Sequence, residues 1–160
     1  MNNDKFHAKI LQVKSYVDEF GKLFEQEILV ESRKGEIFWI FDVGLLCDKQ
    51  MEGQMAILEF NVWQNASDQN ISKLENREKK ILLPKTPLGR KSPEHYPIFY
   101  GEIVEQKHEI SSNRQFTLDV GSGIITIRVY ETEYNKYSVG DYIKVDGNIV
   151  QLSEIDGRET

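Results

Sequence analysis

At 160 residues, with 39% apolar and 11% aromatic residues, the chain is long enough for one domain or two compact halves. It can also support a packed core, which excludes global disorder. The formal charge of -6 opposes the phosphate neutralisation behind general nucleic-acid affinity, so a non-specific DNA coater is excluded, although a local basic face is not. No run approaches the roughly 18 apolar residues of a membrane span. The opening MNNDKFHAK lacks the apolar stretch of a secretory leader, so a cytoplasmic location with no membrane partner is expected. A single cysteine, Cys47, allows no internal disulfide, and its place after the apolar run 38–46 predicts a buried packing role.

Strand signals begin at once. Phe6, Ala8 and Ile10 alternate, and Leu11 and Val13 continue one residue out of phase, which predicts a bulge in a long bent strand. A second run, 25–31, reaches Arg33-Lys34-Gly35 and a third, 36–43, follows directly; the glycine fits a hairpin. In that third run Ile37, Phe38, Trp39, Ile40 and Phe41 leave neither face polar, so cover on both sides is expected. The stretch 55–62 behaves similarly, with Ala56, Leu58, Phe60 and Val62 on one face. The first half thus carries more apolar surface than one small barrel interior needs, and the surplus must pack on the second half or on another chain.

Residues 65–92 differ. Between Lys73 and Lys91 stand Arg77, Lys79, Lys80, Lys85 and Arg90 against only Glu75 and Glu78, so charge is segregated along the chain. Ser72 with Glu75 has capping-box spacing and predicts a short helix over 72–80. A short strand is expected at 81–83. Prolines 84, 87, 93 and 97 mark the best module boundary.

The second half alternates cleanly. Phe99, Gly101 and Ile103 share one face; Phe116, Leu118 and Val120 point inward before Gly121-Ser122-Gly123, which predicts a hairpin turn. Ile125, Ile127 and Val129 then face in, leaving Thr126, Arg128 and Tyr130 outward. After a connector, 139–145 leads through Asp146-Gly147 into 148–155, read as a strand, a tight Asp-Gly turn and a strand.

Three strands as a meander, a connector, then Val139-Gly140-Asp141-Tyr142-Ile143-Lys144-Val145-Asp146-Gly147 entering a final hairpin resemble the OB (oligonucleotide/oligosaccharide-binding) fold over 97–155. One departure is that 131–138 leaves space for only a turn or two of the helix many OB folds carry there. The first half follows a similar order, with Glu52-Gly53-Gln54-Met55-Ala56-Ile57 answering the later motif. The expected fold is all-β: two small antiparallel β-barrel modules, the C-terminal one OB-like. Its parts are an N-terminal OB-like module over 1–65, a basic Pro-rich linker over 66–96 and an OB-like barrel over 97–160. The alternative is one OB barrel with an N-terminal β extension.

Catalytic patterns are missing from the sequence. His7, His95 and His108 lie far apart without metal-ligand spacing, and no phosphate loop, dinucleotide fingerprint or nucleophile elbow occurs. The chain reads as a non-enzyme with no catalytic residues, metal or cofactor. What the resemblance implies instead is an extended ligand on the second and third strands of the second module, where aromatics stack and cations follow a backbone. Arg128, Tyr130, Thr126, Tyr142 and Lys144 supply such groups, with Lys79 and Lys80 folding over to add positive field. Single-stranded nucleic acid is the expected partner. The alternative is a protein-interaction or assembly module, including a homo-oligomer, that uses the apolar N-terminal strands.

Overall fold

The computed structural model describes residues 5–64, 71–83, 96–108 and 114–159. Much of the basic linker, including Lys85, Arg90, Lys91 and prolines 84, 87 and 93, lies outside them, as does His95.

The chain is all-β. Among the described residues its strands are β1 (Phe6–Val17), β2 (Leu23–Ser32), β3 (Ile37–Phe41), β4 (Met55–Trp63), β5 (Ile71–Lys73), β6 (Lys80–Leu82), β7 (Ile98–His108), β8 (Arg114–Asp119), β9 (Ile124–Val129), β10 (Tyr142–Asp146), β11 (Val150–Ile155) and β12 (Arg158–Glu159), with an α-helix, α1 (Glu131–Lys136), between β9 and β10 and a 3-10 turn at Lys49–Met51.

Five of these strands close into a barrel. β1, β2 and β3 form an antiparallel meander, β4 returns beside β1, and β11 completes the ring, antiparallel to β4 and parallel to β3 through Gln151 and Phe41. This closed five-stranded arrangement is compatible with an OB-like fold. The position of closure corrects an expectation, since four strands of the barrel come from the first half and the fifth from the end of the chain. The expected bulge is present, as the β1–β2 register shifts between Ile10 and Gln12.

The strands β9, β8, β7 and β10 form a second antiparallel run. β6 adds to β7, and β5 adds to β10. β9 joins the barrel sheet by pairing in parallel with the end of β4, Asn61 to Thr126 and Trp63 to Arg128. Closure of this second run is not seen among the described residues.

Two local readings are overturned. Residues 72–80 are not helical: Ile71 and Ile81 are each buried, one on β5 beside β10 and the other on β6 beside β7. Burying both in sheet outweighs the weak local preference of a capping box. Asp146-Gly147 is not a hairpin either, because β10 pairs with β7 and β5 while β11 pairs with β3, β4 and β12. A Cβ on Gly147 would lie 2.7 Å from the Phe99 ring and 2.9 Å from the Pro97 carbonyl oxygen. That glycine serves close approach. The Asp-Gly hairpin of this protein is instead Asp156-Gly157, where both residues have positive φ, 48° and 85°, as a type I′ turn requires.

The alternation read from the sequence reappears as burial. Ala56, Leu58, Phe60 and Val62 are buried, as are Phe116, Leu118, Val120, Ile125 and Ile127. Phe6, Phe38 and Phe60 meet inside the barrel, with Phe6 and Phe60 edge-to-face at 5.0 Å. Phe99 of β7 joins them, 5.8 Å from Phe38 and 6.2 Å from Phe60, so one aromatic core spans both runs. Across the surface, Glu36 ties the same parts together. One carboxylate oxygen accepts from the Ser32 and Ser122 hydroxyls at 2.6 and 2.9 Å, and the other accepts from the Ile81 amide at 2.7 Å.

One end of the barrel is filled by a polar network. Asp42, fully buried, accepts from Gln26 Nε2 and from the amides of Leu46 and Cys47, each at 2.8 Å. Cys47 is buried, as expected. Burial, reinforced by Asp42, pushes its thiol up to about 12.

Because β4 is shared by the barrel and the second run, unfolding is expected to be a single transition. Leu152→Ala should cost about 2–5 kcal/mol, read from the urea midpoint by both near-UV and far-UV dichroism; two separated transitions would show that the runs fold independently. Cys47 favours folding below its ordinary value of 9.0, and this contribution is lost as pH rises toward about 12. Relative to Cys47→Ala, the wild-type protein should therefore lose stability over that alkaline window, measured by urea titrations at several pH values.

Candidate ligand groove

The sequence-derived site residues fall into two groups. In the first, β9 carries Thr126 and Arg128 outward, and its pairing with β4 sets them beside Asn61 and Trp63. Arg128 Nε donates to Asn61 Oδ1 at 3.1 Å, and the guanidinium lies 5.8 Å from the Trp63 ring centre. Tyr130, 48% exposed, follows at the strand end, where its amide donates to Gln64 Oε1 at 2.8 Å. The outer wall of β8 and β9 is not sealed by the barrel. A pocket of about 290 Å³ opens there, lined by Thr126, Arg128, Gln115 and Lys107 on one side and by Asn61 and Lys5 on the other. Glu59 and Glu105 also line it, and Glu105 pairs with Lys107 at 3.4 Å. Arg128 has a neutral partner in Asn61, and among the described residues no carboxylate is seen bonded to it.

The second group sits at the start of β6 and on β10, the two strands that flank β7. Lys79 reaches Asp119 at 2.9 Å and Glu102 at 3.3 Å, and the hydrogen bond to Asp119 holds its ammonium above the ordinary lysine range. Tyr142 donates its hydroxyl to Glu102 at 3.2 Å. Lys80 pairs with Glu78 at 3.3 Å and lies 4.8 Å from the Tyr100 ring centre. Lys144 stands between Tyr100 and Ser72 by register. The structure therefore brings Thr126, Arg128 and Tyr130 together. It places Lys79, Lys80, Tyr142 and Lys144 in a separate cluster whose lysines at 79 and 80 are paired with carboxylates.

Residues of the first half also line the groove, Asn61 and Lys5 among them, with Trp63 at its margin. Asn61 and Trp63 alternate with Phe60 and Val62, so their outward direction is legible in the sequence; their apposition to Arg128 is not. α1 covers another part of β8. Tyr134 stacks on Phe116 at 5.9 Å, and Gln106 Nε2 donates to the carbonyls of Tyr134 and Tyr137 at 3.1 and 2.8 Å, fixing the helix end.

Among the described residues no group of three or more His, Cys, Asp or Glu side chains is placed to hold a metal ion, and no helix is long and apolar enough to cross a membrane. No protein-family model matches the sequence, and no curated protein matches it.

The Lys79 pairs are partly exposed, and such pairs contribute about 0–1 kcal/mol each. Lys79→Gln is accordingly expected to lower stability only slightly at low ionic strength, with the difference vanishing in molar salt, as read from thermal midpoints.

Proposed function

We propose that this chain is a non-catalytic OB-like binding protein whose groove between β4 and the β8–β9 wall takes single-stranded nucleic acid. The observation that carries the reading is Arg128 beside the Trp63 ring at the margin of an open pocket, with exposed Tyr130 just past the end of β9. A guanidinium held by a neutral amide is suited to a phosphate, and the two aromatics offer stacking surfaces, each worth about 1–3 kcal/mol per base. Asn61, Gln115 and Thr126 add amide and hydroxyl groups that can meet base edges or sugars. Membership of the OB superfamily belongs to the same proposal, supported by the closed five-stranded barrel of β1–β4 and β11.

A fluorescent oligonucleotide of about ten nucleotides, within the site size of such folds, tests this by anisotropy. Binding is expected at low salt, weakening as salt rises because counterions are released on phosphate contact. Arg128→Ala and Trp63→Ala should each weaken it roughly five- to a hundredfold, while Lys79→Gln, already balanced by Glu102 and Asp119, should change it little. Unchanged anisotropy at low salt across DNA and RNA would end the reading.

A second reading is self-assembly through the β1–β2 arm, favoured by the exposure of Phe20 (85%) and Phe24 (60%) around the β1–β2 turn and of Val43 (63%), which lines one recess with Phe24. Such apolar groups left in water are a recurrent mark of an interface. Light scattering should then show a dimer that Phe20→Ser with Phe24→Ser dissociates; a wild-type monomer at high concentration rejects it.

A further inference from the structure

The groove between β4 and β9 carries a group that phosphate binding and stacking leave unused. Along the outward face of β4, Glu59 precedes Asn61 and Trp63 at every second residue, and it is exposed while Leu58 and Phe60 on either side are buried. It lines the pocket of about 290 Å³ together with Lys5, Ile124, Thr126 and Ser153. Glu105, the other carboxylate there, is engaged: it pairs with Lys107 at 3.4 Å and accepts from the Thr117 hydroxyl at 3.3 Å. The Glu59 carboxylate has no hydrogen bond or ion pair among the described residues, neither with Lys5 nor with Arg128. Opposite it on β11 stands Glu154, a second carboxylate, and the Ser153 hydroxyl donates to the Glu59 backbone carbonyl, not to its side chain. Arg128 is turned to Asn61 and Trp63 instead.

An ionised carboxylate only accepts hydrogen bonds, and it repels phosphate. A nucleotide entering the pocket therefore turns its phosphate toward Arg128 and its base toward Glu59. The volume is that of roughly ten waters at about 30 Å³ each, which suits one base and not a stack. Two carboxylate oxygens side by side take two parallel N–H donors, as they do from a guanidinium. Among the common bases guanine presents such a pair, N1–H beside the N2 amino group on its Watson–Crick edge. On adenine, cytosine, uracil and thymine the donor of that edge has an acceptor next to it, which would face the second oxygen with like charge.

We propose that Glu59 makes the groove selective for guanine, so that the strand it takes is a guanine-containing one. The inference rests on the nucleic-acid reading of the groove and adds the base that is read. The guanine edge lies against the Glu59 carboxylate. Trp63, about 13 Å further along β4 by the strand rise, stacks a neighbouring base, and Arg128 holds the intervening phosphate. A carboxylate in a phosphate-binding groove lowers the affinity of every strand, and it returns that loss only to a base with two donors. Selectivity of this kind comes from penalising the wrong ligands as much as from favouring the right one.

Anisotropy with the full chain and four labelled thymidine strands tests this, the strands differing only in one central base: guanine, hypoxanthine, adenine or thymine. The guanine strand should bind roughly five- to a hundredfold more tightly than the adenine and thymine strands. Hypoxanthine, which lacks the N2 amino group, should lose most of that gain. Glu59→Gln, an exposed substitution of the same shape, should bind all four strands within about twofold of one another, since the paired acceptor is gone. It should hold the thymine strand at least as tightly as wild type does, because phosphate repulsion is relieved, and this shows that the variant is folded. Equal affinity of wild type for the four strands, or a guanine preference that survives in Glu59→Gln, overturns the inference and leaves the nucleic-acid reading standing. No binding of any strand at low salt overturns both. Guanosine monophosphate should displace the guanine strand only in large excess; displacement at equal concentration overturns the strand as the ligand and assigns the pocket to a free nucleotide.

Discussion

The molecule depends on the hydrogen bonding of β4. Its residues 55–58 pair with β1 and residues 58–62 with β11, while residues 61–63 turn to β9. One strand therefore closes the barrel and also carries the second run of sheet. Backbone donors and acceptors taken from water must find partners, so β11 has to occupy the gap between β3 and β4. The chain must consequently cross to the second run after Trp63 and return before Val150. Phe99 secures the same junction from inside, through its contacts with Phe38 and Phe60.

The groove follows from that junction. The parallel pairing of β4 with β9 brings Asn61 and Trp63 against Thr126 and Arg128, giving the cation a neutral hydrogen-bond partner and a ring. Lysines that the sequence makes equally attractive have another fate. Lys79 lies between Glu102 and Asp119, and Lys80 is paired with Glu78, so their charge is largely used within the protein. On an acidic chain the distribution of the remaining cations matters more than their number.

The polar groups under the barrel end and at the run-to-run contact show how such a shared sheet is held in one arrangement. Asp42 gathers two amides and the Gln26 side chain, and Glu36 gathers two hydroxyls and an amide. Each would be costly if buried without these partners. Glu36 follows β2 and Asp42 follows β3, and while the donors to Asp42 are near in sequence, those to Glu36 include groups as distant as Ile81 and Ser122.

How much of this was legible in the sequence divides along a physical line. Inward and outward faces were readable nearly everywhere: Phe60 and Val62 against Asn61 and Trp63, Ile125 and Ile127 against Thr126 and Arg128, and even the slip after Ile10, because a period of two is written in adjacent side chains. The exceptions were settled by contacts made far away. Residues 72–80 have a local helix signal that loses to the burial of Ile71 and Ile81. Of two Asp-Gly pairs, the one at 156–157 makes the turn while the one at 146–147 lets Phe99 approach. The amino-acid sequence by itself determined the strands, their buried faces and the aromatic, acidic and basic groups they display. The tertiary structure alone decided which strand lies beside which, and so where β11 closes the barrel and where Trp63 meets Arg128. The reason is that a strand's edge presents the same backbone donors and acceptors whatever its side chains, and only packing of the whole core selects the partner.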